Sequence, residues 1–153
     1  MADPFTVGAL CTRILSVARR DMSVTEAARL MRESHVGTVL VVDDTPGGTA
    51  LAGILTDRDI VVSAVALEID VRTLLVEDLM SPEVATLRED DSLGTALELM
   101  AERGVRRVPV LSDDGTLVGL LSFDDLVAAL ALQAQTMTQV LVAGRQREAA
   151  EHA

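Results

Sequence analysis

The stretch Gly53-Ile-Leu-Thr-Asp-Arg-Asp-Ile60 returns 66 positions later as Gly119-Leu-Leu-Ser-Phe-Asp-Asp-Leu126. In each copy a hydroxyl side chain stands three residues before an aspartate, after a strand-like apolar run and at the beginning of a helix-like one. The two pairs are Thr56 with Asp59 and Ser122 with Asp125. A short chain that repeats such a pattern is predicted to contain the same local site twice.

The repetition extends over most of the chain. An offset of 69 residues superimposes the first part of one half on the other. Identical residues that coincide include Val7 with Val76, Ser23 with Ser92, Ala27 with Ala96, Met31 with Met100 and Val39 with Val108. The offset then falls to 66, because the first half has three extra residues in its loop at 45–49. We interpret the chain as one unit present twice.

Each unit is predicted to fold as β-α-β-β-α. In the first unit the elements are an extended piece at 14–17, a helix at 23–34, strands at 38–42 and 51–55, and a helix at 57–67. In the second they are 84–87, 92–103, 108–111, 118–121 and a helix from Phe123. Apolar residues recur at helical spacing after Ser92, a natural N-cap, and Gly104 is a natural C-cap. The fold class is therefore α/β (α+β), with tandem β-α-β-β-α repeats related by a pseudo-two-fold axis.

The connections and the C-terminus complete the outline. Asp113–Gly115 predicts a tight turn and Pro46–Gly48 a looser one. The last helix is predicted to reach Ala143, before Gly144 and a frayed polar tail at 145–153. Its Leu126, Leu130, Met137 and Leu141 lie near one stripe, which either completes the core or packs on a second copy. We divide the chain into repeats at 7–70 and 71–132 and an extension at 133–153.

The composition limits the possible partners. Apolar residues make up 49% of the 153, Trp and Tyr are absent, and only Phe5 and Phe123 are aromatic, so no stacking surface for single-stranded nucleic acid is available. The net charge of −11 repels DNA and anionic membranes. A local basic pocket for a small anion stays possible, because screening restricts repulsion to about 8–10 Å.

The remaining composition indicates a soluble protein in a reducing cytoplasm. Cys11 is the only cysteine, so no intrachain disulfide is possible. The N-terminal residues lack the basic and apolar regions of a signal peptide. The longest apolar run, 126–143, is interrupted by glutamines and threonines, so we expect no membrane span.

Catalysis finds little support in the residues. His35 and His152 are the only histidines, and neither belongs to a nucleophile triad or a metal-ligand pattern. No glycine-rich phosphate loop occurs. The sequence therefore predicts a protein that is not an enzyme and holds no metal.

The repeated pattern is similar to the cystathionine-β-synthase (CBS) domain pair, also called a Bateman module. The resemblance covers about Val7 to Leu132. The segments that carry it are 36–43 with 53–60, and 104–111 with 119–126. It implies a stand-alone regulatory pair that forms a homodimer and signals to a protein partner through ligand-dependent changes of repeat or dimer packing.

The resemblance also implies an adenosine-containing ligand, with AMP, ADP or ATP preferred and NAD and S-adenosylmethionine left open. In such families an aspartate binds the ribose hydroxyls, and a Ser or Thr lies near the ribose or phosphate. Carried over by position, the first cleft consists of Ser122, Asp125, Arg107, Val36, Gly37 and Thr38. The second consists of Thr56, Asp59, Val105 and Arg106, with the strand 84–86 and its Thr86 over the base. There Thr38 stands where the first cleft has Arg107, so phosphate is expected to bind less well.

Simpler explanations exist for the same residues. A Ser or Thr three residues before an acid is close to a helix capping box. Arg106 and Arg107 follow a helix end, where a cation interacts favourably with the helix dipole. Phe123 and Leu40 depart from the repeat pattern without removing a ligand contact. A ligand-free interaction module is therefore the alternative to a nucleotide-binding regulator.

Overall fold

The computed structural model describes residues 5–152 and contains the duplicated unit. The helices are α1 (Val7–Leu10), α2 (Val24–Ser34), α3 (Asp57–Ile60), α4 (Val76–Leu79), α5 (Leu93–Arg103) and α6 (Phe123–Glu151). The strands are β1 (Val17–Ala18), β2 (Thr38–Thr45), β3 (Gly48–Thr56), β4 (Leu87–Arg88), β5 (Arg107–Leu111) and β6 (Leu117–Ser122). The predicted fold class and the internal repeat are confirmed.

The strands form two sheets with the same topology. One sheet has the order β1-β2-β3 and the other the order β4-β5-β6. In each, the short first strand runs parallel to the second, and the second and third form an antiparallel hairpin. The register shifts between Val41 and Val42 in one sheet and between Val110 and Leu111 in the other. These positions are equivalent in the two repeats, so the duplication preserves even the strand irregularity.

The longer helices begin and end at the residues that local chemistry favours. Ser23 and Glu26 form a capping box at the start of α2, and Ser92 caps α5 through the Thr95 amide. Both helices end in a left-handed residue, His35 with φ 54° and Gly104 with φ 64°. His35 thus adopts the left-handed C-cap conformation at the position where the second repeat has Gly104.

The two repeats exchange their N-terminal helices. Val7 of α1 is buried in the core of the second repeat with Leu87 and Leu126. Val76 of α4 is buried in the core of the first repeat with Leu55. Antiparallel bridges at Thr6–Ser92, Thr12–Leu120, Ser23–Leu75 and Ile54–Ser81 accompany the exchange. The two units are therefore joined by the chain itself as well as by packing.

A third apolar cluster lies between the two sheets. Leu40 and Val42 of β2 are buried together with Leu117 of β6, and partly buried leucines from both repeats surround them. This layer uses the sheet face opposite to the one that each repeat covers with its own helices. Each strand pair is thus buried on both faces, which explains the continuous apolar runs in β2.

Three sequence expectations need correction. Pro46 and Gly47 form a tight two-residue connection, because Thr45 already pairs with Gly48. The helix after β3 is α-helical only to Ile60 and continues as a π-helix at Val61–Val65. The last helix does not end before Gly144: α6 continues to Glu151, so most of the polar tail is helical.

The helix α6 is unusual in its exposure. By length and composition alone it could cross a membrane, with an 18-residue window of mean hydropathy 1.5, which the sequence analysis did not predict. A single such helix is weak evidence for a span, and its glutamines and threonines would be costly in lipid. The sequence left open whether its apolar stripe completes the core or packs on a second copy. Leu126 does complete the core, but Leu130, Met137 and Leu141 are exposed.

Candidate functional site

The repeated hydroxyl–aspartate pairs form two identical capping boxes. At α6 the Ser122 amide and hydroxyl both donate to Asp125 Oδ2, at 2.9 and 2.6 Å, and the Asp125 amide donates back to the hydroxyl. At α3 the Thr56 amide and hydroxyl donate to Asp59 Oδ2 at 2.8 and 2.7 Å, with the same return bond. Both pairs are therefore helix capping boxes, as the simpler explanation predicts.

The caps use one oxygen of each carboxylate. Among the residues that the structure describes, no hydrogen bond reaches Oδ1 of Asp125 or of Asp59. Both side chains are only half-buried. A carboxylate oxygen has two lone pairs, so each Oδ1 can accept two further hydroxyl donors. A ribose bound through both oxygens would instead displace the cap, so the geometry favours recognition through Oδ1 alone.

Strand pairing brings each cap beside the entry of the neighbouring strand. Ser122 lies opposite Arg107 in the β5–β6 hairpin, and Thr56 lies opposite Thr38 in β2–β3. The Phe123 amide donates to the Arg106 carbonyl at 2.8 Å, and the equivalent Asp57 amide donates to the Gly37 carbonyl at 3.0 Å. Each helix N-terminus is thus held against the strand that precedes it in the hairpin.

A cavity of about 160 Å³ lies between the two repeats. The first repeat contributes Val36, Gly37 and Thr38 to its wall, and the second contributes Arg107. These four belong to the predicted first cleft, and they meet across the repeat boundary. Ser122 and Asp125 do not line this enclosed volume; Ser122 is the direct strand neighbour of Arg107. The volume holds part of a nucleotide, since whole-ligand pockets have about 300–1,000 Å³.

The cavity also contains residues that the sequence analysis did not name. Ile14, Leu15 and Ser16, just before β1, form one side of it, and Leu120 of β6 forms another. A signal for the first three was present, because the equivalent strand at 84–86 was predicted to cover the base in the second cleft. His35, which the sequence placed in no catalytic or metal-ligand pattern, both ends α2 and lines the cavity.

The two neighbouring arginines have different surroundings. The Arg106 guanidinium forms an ion pair with Asp124 at 3.3 Å and lies 5.8 Å from the centre of the Phe123 ring. Arg107 forms no ion pair with any residue between 5 and 152. An unpaired, exposed guanidinium at a cavity rim in a chain of net charge −11 is suited to bind a phosphate.

The residues predicted for the second cleft are less clearly brought together. Val105 and Arg106 line a depression of about 470 Å³ within the second repeat, with Phe123 and the end of α5. Thr56 and Asp59 lie at the start of α3 in the first repeat. Thr86 is exposed and immediately precedes β4. The pseudo-symmetry thus preserves the caps but not the cation, since Thr38 takes the place of Arg107.

A thiol lies close to the first cap. Burial raises the pKa of Cys11, and the negative charges of Glu89 and Asp125 act in the same direction, while Arg13 opposes them. Cys11 also lies against Gly119, where a Cβ atom would overlap its Sγ atom. The thiol therefore packs against the strand β6, and its raised pKa favours the protonated form.

A search of residues 5–152 for three or more His, Cys, Asp or Glu side chains in metal-binding proximity finds none. The groups present at the first cap and its neighbouring cavity are a carboxylate oxygen, a guanidinium and apolar side chains. This combination matches an anionic ligand with hydroxyl groups and an apolar ring.

Comparison with protein-family models identifies the duplicated unit. The CBS domain model matches residues 7–65 and again residues 76–132. The chain belongs to the CBS domain family. Both matches end before the exposed part of α6, so the CBS pair accounts for the repeats and not for the C-terminal extension.

Relatives of this CBS protein occur in bacteria and archaea. It is 35% identical over 117 residues to the CBS domain-containing protein YhcV of Bacillus subtilis, covering 76% of this chain and 79% of that protein. It is 34% identical over 120 residues to the protein MK0525 of Methanopyrus kandleri. That match covers 72% of this chain but 59% of the relative, so the chain spans less than two thirds of that protein.

Solved CBS structures have the same fold. The CBS domain structure NE2398 has a TM-score of 0.73 at 32% identity, covering 82% of this chain and 98% of that one. The cytosolic domain of the Mg²⁺ channel MgtE in complex with ATP has a TM-score of 0.69 at 29% identity, over 83% and 49%. The CBS pair of MJ0100 with 5′-methylthioadenosine and S-adenosyl-L-methionine has 0.70 at 25%, over 82% and 98%. Some CBS pairs of this fold therefore bind adenosine-containing ligands.

Proposed function

We propose that this CBS protein is a non-enzymatic cytoplasmic regulator that binds an adenine nucleotide, AMP, ADP or ATP, between its two repeats. The observation that supports this most directly is the cavity shared by Val36, Gly37 and Thr38 of one repeat and Arg107 of the other. A ligand there touches both repeats at once. Its binding energy can therefore change how they pack.

Each part of a nucleotide has a matching group in the first cleft. The apolar side chains of Ile14, Leu15 and Leu120 suit the adenine ring. The unengaged Oδ1 of Asp125 suits the ribose hydroxyls, with the Ser122 hydroxyl beside it. The unpaired Arg107 suits a phosphate. Comparable CBS structures in complex with ATP or S-adenosyl-L-methionine make the ligand class reasonable for this chain.

The first cleft is the stronger of the two. In the second, Thr56, Asp59, Val105, Arg106 and Thr86 remain the proposed ligand residues, with Thr38 in the place of Arg107. Arg106 is already engaged by Asp124 and Phe123, so a phosphate would have to compete for it. We therefore propose sequential occupancy, with the first cleft filling at lower nucleotide concentration.

We further propose that the regulator acts as a homodimer with a protein partner that responds to its ligand state. Both repeats present exposed valines on their second helices, for example Val61, Val65 and Val127. Exposed apolar side chains on a helix are typical of a protein contact when they adjoin one another. Ligand-dependent packing of the repeats would alter that surface and so transmit the signal.

A ligand-free interaction module is the second candidate. It is favoured by one observation: Asp59 and Asp125 already form complete capping boxes, which stabilise the helix starts without any ligand. A thermal-shift series with AMP, ADP, ATP, NAD and S-adenosylmethionine separates the two. At 100 times its dissociation constant a ligand adds about 2.7 kcal/mol to the free energy of unfolding. For a chain of this size that is a rise in Tm of about 5–10 °C. No rise with any of the five supports the interaction module.

The phosphate contact is tested by Arg107→Gln. We expect AMP and ATP to bind about 10- to 100-fold more weakly, because a hydrogen bond to a charged group contributes about 1.5–3 kcal/mol. Binding of adenosine, which has no phosphate, should change little. Isothermal titration calorimetry measures both affinities.

Arg88→Gln is the matched control. Arg88 is also a strand arginine, but it lies beside Leu111 at the opposite end of β5 and pairs with Asp113. It should leave all affinities unchanged. Equal losses for adenosine and ATP in Arg107→Gln would contradict a phosphate role for this side chain.

A further inference from the structure

The C-terminal half of α6 contacts no other element among residues 5–152. Every residue from Ala134 to His152 is exposed, and no tertiary hydrogen bond holds this segment. A lone helix of this length is marginal in water unless an apolar face is covered. The segment also lies beyond residue 132, where the CBS match ends.

Five of the eight exposed large apolar side chains of α6 lie on one stripe with heptad spacing, and Leu132, Val140 and Val142 lie off it. Alternating steps of four and three residues connect Phe123, Val127, Leu130, Ala134, Met137, Leu141, Gly144 and Glu148. The five large apolar members are between 38% and 69% exposed. This spacing is the seam of a two-stranded coiled coil and is sustained over more than three heptads. The stripe runs beside Leu126, which faces the core of its own repeat.

We propose that α6 pairs with α6 of a second copy of this chain as an antiparallel coiled coil centred between Ala134 and Met137. In this register Ala134 lies opposite Met137, Leu130 opposite Leu141, and Val127 opposite Gly144. Two of these layers join a large with a small residue, Met137 with Ala134 and Val127 with Gly144, which helps to fill the seam without overlap. A two-fold axis through the centre makes the contact self-complementary and closed.

Charge determines the direction of the pair. Asp124 at one end of the seam and Arg145 near the other occupy the same flanking heptad position. Positions of this kind face each other in an antiparallel pair, which places Asp124 of each chain beside Arg145 of the other. A parallel pair gives no such contact, because it places Arg145 beside Val140 and leaves Asp124 without a facing residue of α6. Asp124 is 78% exposed on its side chain and meets Arg106 through one oxygen only, so the second oxygen is available.

Gly144 gives a separate indication. Glycine is unfavourable in a helix interior, and here it stands inside α6 without any other described residue near it, since an added Cβ atom would meet nothing within 4 Å. Packing within one chain therefore does not require a glycine. In the antiparallel register the missing side chain leaves room for Val127 of a second chain. The chain's net charge of −11 and the polar side chains that flank the stripe favour this occupant over a lipid surface.

The pairing rests on the homodimer of the proposed function but not on nucleotide binding. It is tested by a spin label on Gln146→Cys in the full chain with Cys11→Ser. Gln146 points away from the seam. Antiparallel pairing separates the two Cα atoms of residue 146 by about 35 Å, because an axial offset of about 21 residues at about 1.5 Å each adds to the width of the pair. Parallel pairing leaves only that width, about 15 Å. Double electron–electron resonance measures this distance.

Leu141→Glu and Leu132→Glu form a matched pair of variants. Both replace an exposed leucine of α6, but Leu132 lies on the side opposite to the seam. We expect the distance of about 35 Å to disappear with Leu141→Glu and to persist with Leu132→Glu. A distance of about 15 Å, or equal behaviour of the two variants, would overturn the antiparallel seam.

Sedimentation equilibrium and the AMP thermal shift separate the possible failures. A dimer without any inter-label distance overturns the pairing of α6 and leaves the homodimer intact. A monomer overturns both, and the AMP-induced rise in Tm, which Leu141→Glu should not change, then decides nucleotide binding by itself. A monomer that floats with phosphatidylcholine vesicles, and loses this property with Leu141→Glu, assigns the stripe to lipid and overturns the proposal.

Discussion

Asp125→Ala is expected to abolish the nucleotide-induced rise in Tm while the protein stays folded. The Oδ1 oxygen of this side chain is free of a capping bond, so its loss removes the proposed acceptor for the ribose hydroxyls. A protein site that loses its polar partner for a substrate hydroxyl loses selectivity strongly. We expect affinity for AMP to fall by at least about 100-fold, consistent with about 3 kcal/mol.

The same substitution also removes a helix cap, and the two effects must be separated. Glu26→Ala provides the control, because Glu26 forms the same pair of bonds with the Ser23 amide and hydroxyl at 3.0 and 2.7 Å. That cap lies at the end of α2 remote from the cavity. Both variants should lose about 1 kcal/mol of unfolding free energy. Only Asp125→Ala should lose the ligand response.

Two outcomes would contradict this account. If Asp125→Ala keeps the full rise in Tm, another group recognises the ribose. If the wild-type protein does not respond and Asp125→Ala merely loses stability, Asp125 is a cap and the interaction module is the better description. Asp59→Ala extends the comparison to the second cleft, where we expect an effect only at higher nucleotide concentration.

Leu121→Ala is expected to cost about 2–5 kcal/mol of unfolding free energy, the largest stability effect predicted for this chain. Leu121 of β6 is fully buried among Val108, Val110 and Leu126 in the core of the second repeat. Removing the branched end of the side chain leaves a cavity, because the close-packed core around it relaxes only in part. Urea unfolding followed by circular dichroism measures the loss.

Leu55→Ala and Leu132→Ala accompany this measurement. Leu55 is the equivalent of Leu121 in the first repeat and is equally buried. It should cost a similar amount if the duplicated cores are energetically alike. Leu132 is 59% exposed on α6, and its truncation should stay within about 0.5 kcal/mol. A loss for Leu132→Ala as large as for Leu121→Ala would contradict the assignment of the core.

Local patterns predicted most of the elements. The boundaries of α2 and α5 follow from Ser23, Ser92 and Gly104, because caps act through bonds within one turn. The hairpins follow from β-branched runs separated by turn residues. The errors occurred where local signals conflict: Gly144 was expected to stop α6, but one glycine is a small penalty in a long helix, and α6 continues to Glu151.

The candidate site was predictable in part. Val36, Gly37, Thr38 and Arg107 were carried over by position, and the structure brings them to one cavity. Ile14, Leu15 and Ser16 were missed, although the equivalent segment at 84–86 was assigned to the second cleft, because the repeat was not applied to the first cleft in the same way. The difference between Arg106 and Arg107 was equally invisible, because it depends on the neighbours Phe123 and Asp124 in space.

The sequence by itself determined the duplication, the order of elements in each repeat and the two capping boxes, all of which depend on residues a few positions apart. Only the tertiary structure decided that α1 and α4 exchange between repeats, and that Arg107 reaches the strand entry of the other repeat. The exposure of the apolar stripe of α6 is also visible only in the tertiary structure. These features depend on contacts between residues far apart in the chain, which form only when two apolar sheet faces pack against each other.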